Sequence, residues 1–219
     1  MTLLELRTRL RSRLDDLNAP YLWPDAELDE YLNDAQSEAC VRASLIRDMT
    51  SAATSLSVVA GTDTYTLDVA IYRTHRVKLA LVDCSLVPTT IADLDYDTNG
   101  WEGLTGTPTH WYSTGAPNKI TLWPNPVVND TASLVVYRTA LAAMSDDAHT
   151  PEIEEIYHAD LVDWGMHLAF LKRDSETFNQ KSADEYEFRF ERRFGRRPTA
   201  KNRQMRRVGS NRSSRAGFM

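Results

Sequence analysis

Apolar residues recur with a helical period near both ends of the chain and with a strand period between them, and this change of period organises the sequence. Leu3, Leu6, Leu10, Leu14 and Leu17 share one stripe, with Arg7, Arg9, Arg11 and Arg13 off it. The pattern predicts an amphipathic first helix whose basic side is solvated or faces a partner. Thr2 and Glu5 have the spacing of a capping box, in which two otherwise unpaired backbone N–H groups are satisfied reciprocally, and Pro20 is the expected end. A second helix is predicted from Pro24, whose missing N–H would be unpaired in a first turn anyway, with Asp25 and Glu27 at the positive helix end. Its core face would be Leu28, Tyr31, Leu32, Ala35, Ala39, Ala43 and Ile46.

Between Thr54 and Leu67 two short β runs flank a turn at Ala60 to Asp63. Further strands are predicted at Val77 to Val82, Leu86 to Thr89, Thr109 to Ser113, Lys119 to Trp123 and Ser133 to Thr139, with Pro, Gly, Asn and Asp between them. Such spacing suggests a small antiparallel sandwich or barrel, crossed by a long polar loop from Tyr96 to Pro108. Helical patterning returns at Thr150, a good N-cap, followed by Pro151 and the acids Glu152, Glu154 and Glu155. Ile153, Tyr157, Leu161, Trp164, Leu168 and Leu171 continue its apolar face. A last helix is expected from near Asp174, with Ala183, Tyr186, Phe190 and Phe194 along one side and Gly195 as its left-handed stop. The fold class is therefore α+β: a helical bundle built from residues 1–50 and 150–195, a β domain inserted at 51–149, and an extended arm at 196–219.

Charge changes this picture at one end. Residues 189–219 hold 11 basic residues against one acid, Glu191, a net +10, while residues 1–188 hold 14 against 30, a net −16. The arm has almost nothing to bury and is expected to be disordered alone, so it reads as an interaction tail on an acidic body. No apolar run nears the roughly 18 residues that a membrane crossing needs, and the N-terminal stretch lacks the apolar block of a signal peptide. Cys40 and Cys84 are too few and too distant for a zinc site or a disulfide framework, so both are expected to be small buried apolar residues in a protein folded in a cytoplasm.

Candidate chemistry is sparse. Asp95, Asp97, Asn99 and Gly100 match the first half of an EF-hand loop, but the twelfth position is Gly106 where a bidentate Glu is required, so a polar turn is expected. Gly100, Gly103 and Gly106 lack the Lys-Ser/Thr of a phosphate loop. His158 follows Glu154 by four residues and His167 follows Asp163 by four, spacings of ordinary helix-surface pairs. There is no Gly-x-Ser-x-Gly elbow and no His-Glu-x-x-His, so neither an enzyme nor a cofactor or metal is expected.

The order of short motifs carries more. Leu22-Trp23-Pro24-Asp25-Ala26-Glu27-Leu28 with Tyr31-Leu32-Asn33-Asp34-Ala35, then Thr64-Tyr65-Thr66-Leu67 and Arg76-Val77-Lys78-Leu79, are followed by Gly106-Thr107-Pro108-Thr109-His110-Trp111-Tyr112. Ile120-Thr121-Leu122-Trp123-Pro124-Asn125-Pro126, Val135-Val136-Tyr137-Arg138 and the Pro151-Glu152 helix complete the series. This order resembles the head-to-tail adaptor proteins of tailed bacteriophages, the connector class that includes tail tubular protein A. Pro24 departs from it, standing where the family normally has a Ser or Thr cap.

The resemblance implies a structural virion protein at the head–tail interface, assembled in the host bacterial cytoplasm as a dodecameric ring that docks on the portal and meets tail or nozzle proteins. It also implies that genomic DNA passes through the ring without specific binding, a role that an acidic lumen suits because like charge keeps phosphates from sticking. The portal-binding residues would be Arg196, Arg197, Lys201, Arg203, Arg206, Arg207, Arg212 and Arg215, with Met205, Val208 and Phe218 as apolar anchors. A neck stopper or tail-completion protein is an alternative. A nucleic-acid-binding protein that grips phosphate with its basic tail is another, although the arm lacks stacking aromatics apart from Phe218.

Overall fold

The structure, a computed structural model, describes residues 1–114, 118–173, 177–199 and 202. It is mixed α+β, with five α-helices and three sheets among the described residues. In chain order the elements are α1 (Leu3–Leu14), α2 (Asp25–Ala43), β1 (Ile46–Asp48), β2 (Ser55–Val58), β3 (Thr64–Thr66), β4 (Ile71–Leu79), β5 (Cys84–Ser85), β6 (Val87–Pro88), α3 (Ile91–Asp97), β7 (Thr105–Gly106), β8 (His110–Tyr112), β9 (Lys119–Trp123), β10 (Asn125–Pro126), β11 (Asp130–Arg138), α4 (Leu161–Leu171) and α5 (Gln180–Phe194). Two compact units emerge, a helical one of Met1–Ile46 with Thr139–Arg197 and a β-rich one containing Arg47–Arg138.

In the helical unit α1 opens with the expected capping box, Thr2 N–H donating to Glu5 Oε2 at 2.9 Å and Glu5 N–H to Thr2 Oγ1 at 3.3 Å. It ends earlier than Pro20. Asp15 takes φ 56, and the next carboxylate, Asp16, accepts from Arg11 at 2.5 Å and from the Leu22 N–H at 3.0 Å, so the chain wraps around Arg11 and leaves Leu17 exposed. α2 begins after Pro24, which caps with no side-chain bond, and stops at Ala43, with Ser44 in the left-handed region at φ 54. Ala43 is exposed and Ile46 lies in β1, so neither extends the helix's buried face. Leu3, Leu6 and Leu10 of α1 pack with Leu28 and Leu32 of α2 and Val162 and Met166 of α4. Each such fully buried side chain contributes about 1.5 to 3 kcal/mol. Gly165 lets α1 come close, because a Cβ there would stand 2.9 Å from Leu10 Cδ2.

The third predicted helix starts ten residues late. The backbone at 147–153 is committed elsewhere: Leu3 N–H donates to His149 O at 2.7 Å, and Glu152 N–H donates to Gln36 Oε1 at 2.6 Å. Thr150 therefore caps nothing, a 3-10 stretch runs over Glu155–Asp160, and α4 follows. Asp174 lies outside the described residues. α5 begins at Gln180 with Asn179 as cap, its side chain accepting from Ser182 N–H at 3.1 Å. Ala183, Phe190 and Phe194 bury their side chains as expected, Phe190 and Phe194 with Ala35, Ala39 and Leu161. Gly195 has the positive φ, 84°, but with ψ 176 it is not left-handed helical.

In the β unit the nine-residue β11 is central. The first sheet runs β1-β11-β4-β5 with β2 also on β11, and a second runs β3-β9-β8-β6. β2 and β3 flank a turn with Gly61 at φ 79, yet they belong to different sheets. The arrangement is not wholly antiparallel, since β6 pairs β8 and β7 pairs β10 in parallel. The inward faces bury Val77, Leu79, Trp111, Ile120, Leu122, Leu134 and Val136 together. Within the expected polar loop lies the end of α3, a 3-10 turn at Trp101–Gly103 and β7, and Trp101 is buried against Leu94 and Tyr112.

Candidate docking interface

Basic residues crowd the end of α5, and the ion pairs there define a root for the segment from Arg196 onward. On α2, Glu38 and Arg42 are one helical turn apart and pair at 2.7 Å, with side chains 9% and 2% exposed. The Arg42 guanidinium lies 4.8 Å from the Trp164 ring centre and 5.2 Å from that of Phe190, so aromatic faces fix it. It also approaches Glu187 at 3.8 Å and donates to Gly195 O at 3.4 Å, where the helix ends. Glu38 receives a second cation: Arg197 Nε stands 3.4 Å from Glu38 Oε1. Arg196 turns instead to Glu191 at 2.7 Å, and Arg193 to Asp160 at 2.8 Å over the Tyr157 ring.

Of the predicted portal contacts, Arg196 and Arg197 are adjacent at this root and remain 90% and 65% exposed in their side chains. Pairs so exposed contribute about 0.2 to 1 kcal/mol, so they position more than they hold. Lys201, Arg203, Met205, Arg206, Arg207, Val208, Arg212, Arg215 and Phe218 lie outside the described residues. The root's anchoring residues, Glu38, Arg42, Glu187 and Trp164, are not among the predicted contacts. Only the Glu38–Arg42 helical spacing signals them in the sequence.

The basic side of α1 is not solvated throughout. Arg11 is buried, donating to Asp16 at 2.5 Å, Asp25 at 2.6 Å and Trp23 O at 2.7 Å, with Tyr21 stacked 3.9 Å from its guanidinium. Arg7 joins Asp29 at 2.8 Å and Asp147 at 2.6 Å. The Leu22-Trp23-Pro24-Asp25 motif is thus a loop closed on Arg11, and Pro24 serves the helix start through its carbonyl, which accepts from Glu27 N–H at 3.1 Å and Leu28 N–H at 3.2 Å. Burial raises the Asp29 carboxyl, with Arg7 opposing.

In the β unit Asp48 is the corresponding anchor. Arg138 donates to it at 2.5 Å, Ser51 Oγ at 2.5 Å and the Thr50 N–H at 3.0 Å. Burial pushes this carboxyl up, but the hydrogen bonds from Ser51, Thr50 and Arg138 outweigh burial and hold it well below the usual carboxylate range.

Other candidate chemistry resolves into packing. Asp95 and Asp97 lie in α3, and Asp95 accepts the Trp101 indole N–H at 2.7 Å, so this segment is a tied helix end and not an open Asx turn. His158 and His167 are buried and bond the carbonyls of Ile153 and Ala183, each at 2.9 Å, instead of pairing with Glu154 and Asp163 on a surface. Cys40 is buried, but Cys84 is exposed on the short edge strand β5. Among the described residues no group of His, Cys, Asp and Glu is placed to hold a metal ion, and no helix is long and apolar enough to cross a membrane.

The family model described as SU10 adaptor protein matches residues 1–215, from the α1 cap into the basic arm. The chain belongs to the SU10 adaptor protein family. This adaptor is accordingly a structural protein of the phage virion, and its family is not a class of enzymes. No curated protein matches the chain. Among its described residues the adaptor has three buried ionic clasps, Glu38–Arg42, Arg11–Asp16 and Asp48–Arg138.

Proposed function

We propose that this adaptor forms a dodecameric ring at the head–tail interface, docks on the portal through its arm, residues 196–219, and presents its far side to tail or nozzle proteins while genomic DNA passes through the lumen. The observation that carries this reading is the root of the arm. Residues 196–219 hold eight basic residues and no acid, and this +8 segment begins where Arg197 meets Glu38, beside the caged Arg42, so its first basic residues stay exposed at a helix end. Arg is the residue suited to forked bonding of portal carboxylates, and weak exposed pairs repeated around a ring add to durable attachment. The order of motifs, which resembles that of the tail tubular protein A-like class, supports the same role.

In this reading residues 1–50 and 150–195 form one helical bundle, 51–149 is an inserted β domain, and some of the 30 acids of residues 1–188 line the channel. Lys substitutions at lumen acids then slow DNA ejection. Electron microscopy of the purified adaptor mixed with portal tests the whole reading: a closed ring on one face of the portal is expected, whereas scattered single copies or no complex would sink it. A gel shift on DNA across salt concentrations separates it from phosphate binding by the arm, for which a steep salt slope would be required.

A further inference from the structure

In the β unit, residues 47–138 carry six basic side chains, of which only Arg138 and Lys78 are in ion pairs among the described residues, with Asp48 and Asp83. Arg73 and Lys119 are in none, and both line one recess of about 30 Å³ together with Trp111, Ser113 and Asn118. Among the described residues no acid lines this recess. Trp111, in its wall, is 6% exposed, and its indole N–H is buried with no hydrogen-bond partner among the described residues. A hollow lined by Arg73, Lys119, Ser113 and Asn118 suits the carboxylates of an acidic edge. It does not offer the line of cations that tracks a nucleic-acid backbone.

A carboxylate of the right kind is present on the same chain. Glu30 and Asp34 lie one turn apart on α2, exposed and in no ion pair among the described residues. Burial of part of its side chain raises the Asp34 carboxyl, and the like charges of Glu30 and Glu38 add to the shift. A cation arriving from another molecule would relieve that repulsion.

We propose that in the ring the Glu30–Asp34 edge of one copy seats in the Arg73–Lys119 recess of the next. Such a contact is heterologous: each copy gives one acidic edge and one basic recess, and repetition closes a ring where the rotation permits. It rests on the ring reading above and specifies which charges set subunit register.

The test is the full-length adaptor assembled on purified portal, with copies per portal counted by electron microscopy. Arg73→Glu with Lys119→Glu, and separately Glu30→Lys with Asp34→Lys, should each lower complete rings by about tenfold or more, and the chain carrying all four should regain them. Should a reversal pair lose its thermal transition, Lys119→Gln and Asp34→Asn read the same contact, with ring loss again expected. Complete rings in either reversal pair, or no recovery in the fourfold variant, would overturn the contact while leaving the ring reading intact. Wild-type copies bound singly would overturn the ring reading and the contact with it. If Arg73→Glu with Lys119→Glu leaves rings complete but abolishes retention on immobilised DNA, the recess is a phosphate site and the proposal fails.

Discussion

The helical unit and the β unit use charge in different ways. In the helical unit nine cationic side chains, Arg7, Arg11, Arg13, Arg42, Lys172, Arg189, Arg193, Arg196 and Arg197, are in ion pairs with acids of the same unit. Among the described residues two of the six bases of residues 47–138 are, and of those two pairs Arg138–Asp48 is the buried one. A long helix presents acids and bases at regular spacing to its neighbours, so its surface can neutralise itself. In β4 and β9 the basic residues Arg73, Arg76 and Lys119 are in no ion pair among the described residues; Arg73 lies 5.4 Å from the Tyr137 ring centre and Arg76 donates to Ser85 Oγ at 2.7 Å. Local ionic closure thus organises one unit, and one buried pair with an apolar core between strands organises the other.

Substitutions in one buried pair of each unit break this contrast most strongly. Asp48→Ala leaves Arg138 without its carboxylate and the Thr50 and Ser51 donors without an acceptor, and should cost about 3 to 5 kcal/mol. Hydrogen exchange should show that loss in Asp130–Arg138 and its partner strands, and protection retained there would contradict the anchor. Arg11→Ala should cost less, about 2 kcal/mol, because Asp16 keeps backbone donors from Leu22 and Trp23; the urea midpoint measures it.

Acid sharpens the comparison. Asp48 has a folded pKa below its unfolded value of about 3.9, so its contribution is fully present above that value and is lost as pH falls further. In the helical unit burial raises Asp29, Asp34 and Asp163, and an acid raised in the folded state contributes more stability as pH falls through its folded pKa. Asp25 and Glu27 act the other way there, through Arg11 and, against burial, through Lys172. NMR of a urea series below about pH 4 should therefore show the β unit losing stability more steeply than the helical unit. The smallest expected effect is Gly165→Ala, within about 1 kcal/mol, since the gain in helix propensity offsets the displacement of Leu10. A thermal shift of more than about 8 °C would show that Leu10 cannot move.

Legibility in the sequence followed the range of the interactions. Thr2–Glu5 and β9 at Lys119–Trp123 were readable because caps and strand alternation are local. Arg11 was not, because off-stripe position says nothing of a loop that returns to enclose it. Thr150 looked like a cap, but long-range bonds to Leu3 and Gln36 hold the neighbouring backbone away from helical geometry. Parallel pairing of β6 with β8 leaves no turn signature between neighbours, so an antiparallel sandwich was the natural expectation. At the arm root, charge was plain in Arg196 and Arg197, whereas the stacking of Arg42 on Trp164 and Phe190 depends on helices distant in sequence.

The central claim is that the arm docks the adaptor and adds little to its folding. Deleting residues 196–219 removes the exposed Arg196 and Arg197 pairs and leaves the Glu38–Arg42 cage in place, so unfolding free energy should change by less than about 1 kcal/mol. Co-sedimentation of the truncated protein with purified portal measures the rest. The account predicts a folded protein that no longer sediments with portal; portal binding at the full-length level would contradict it.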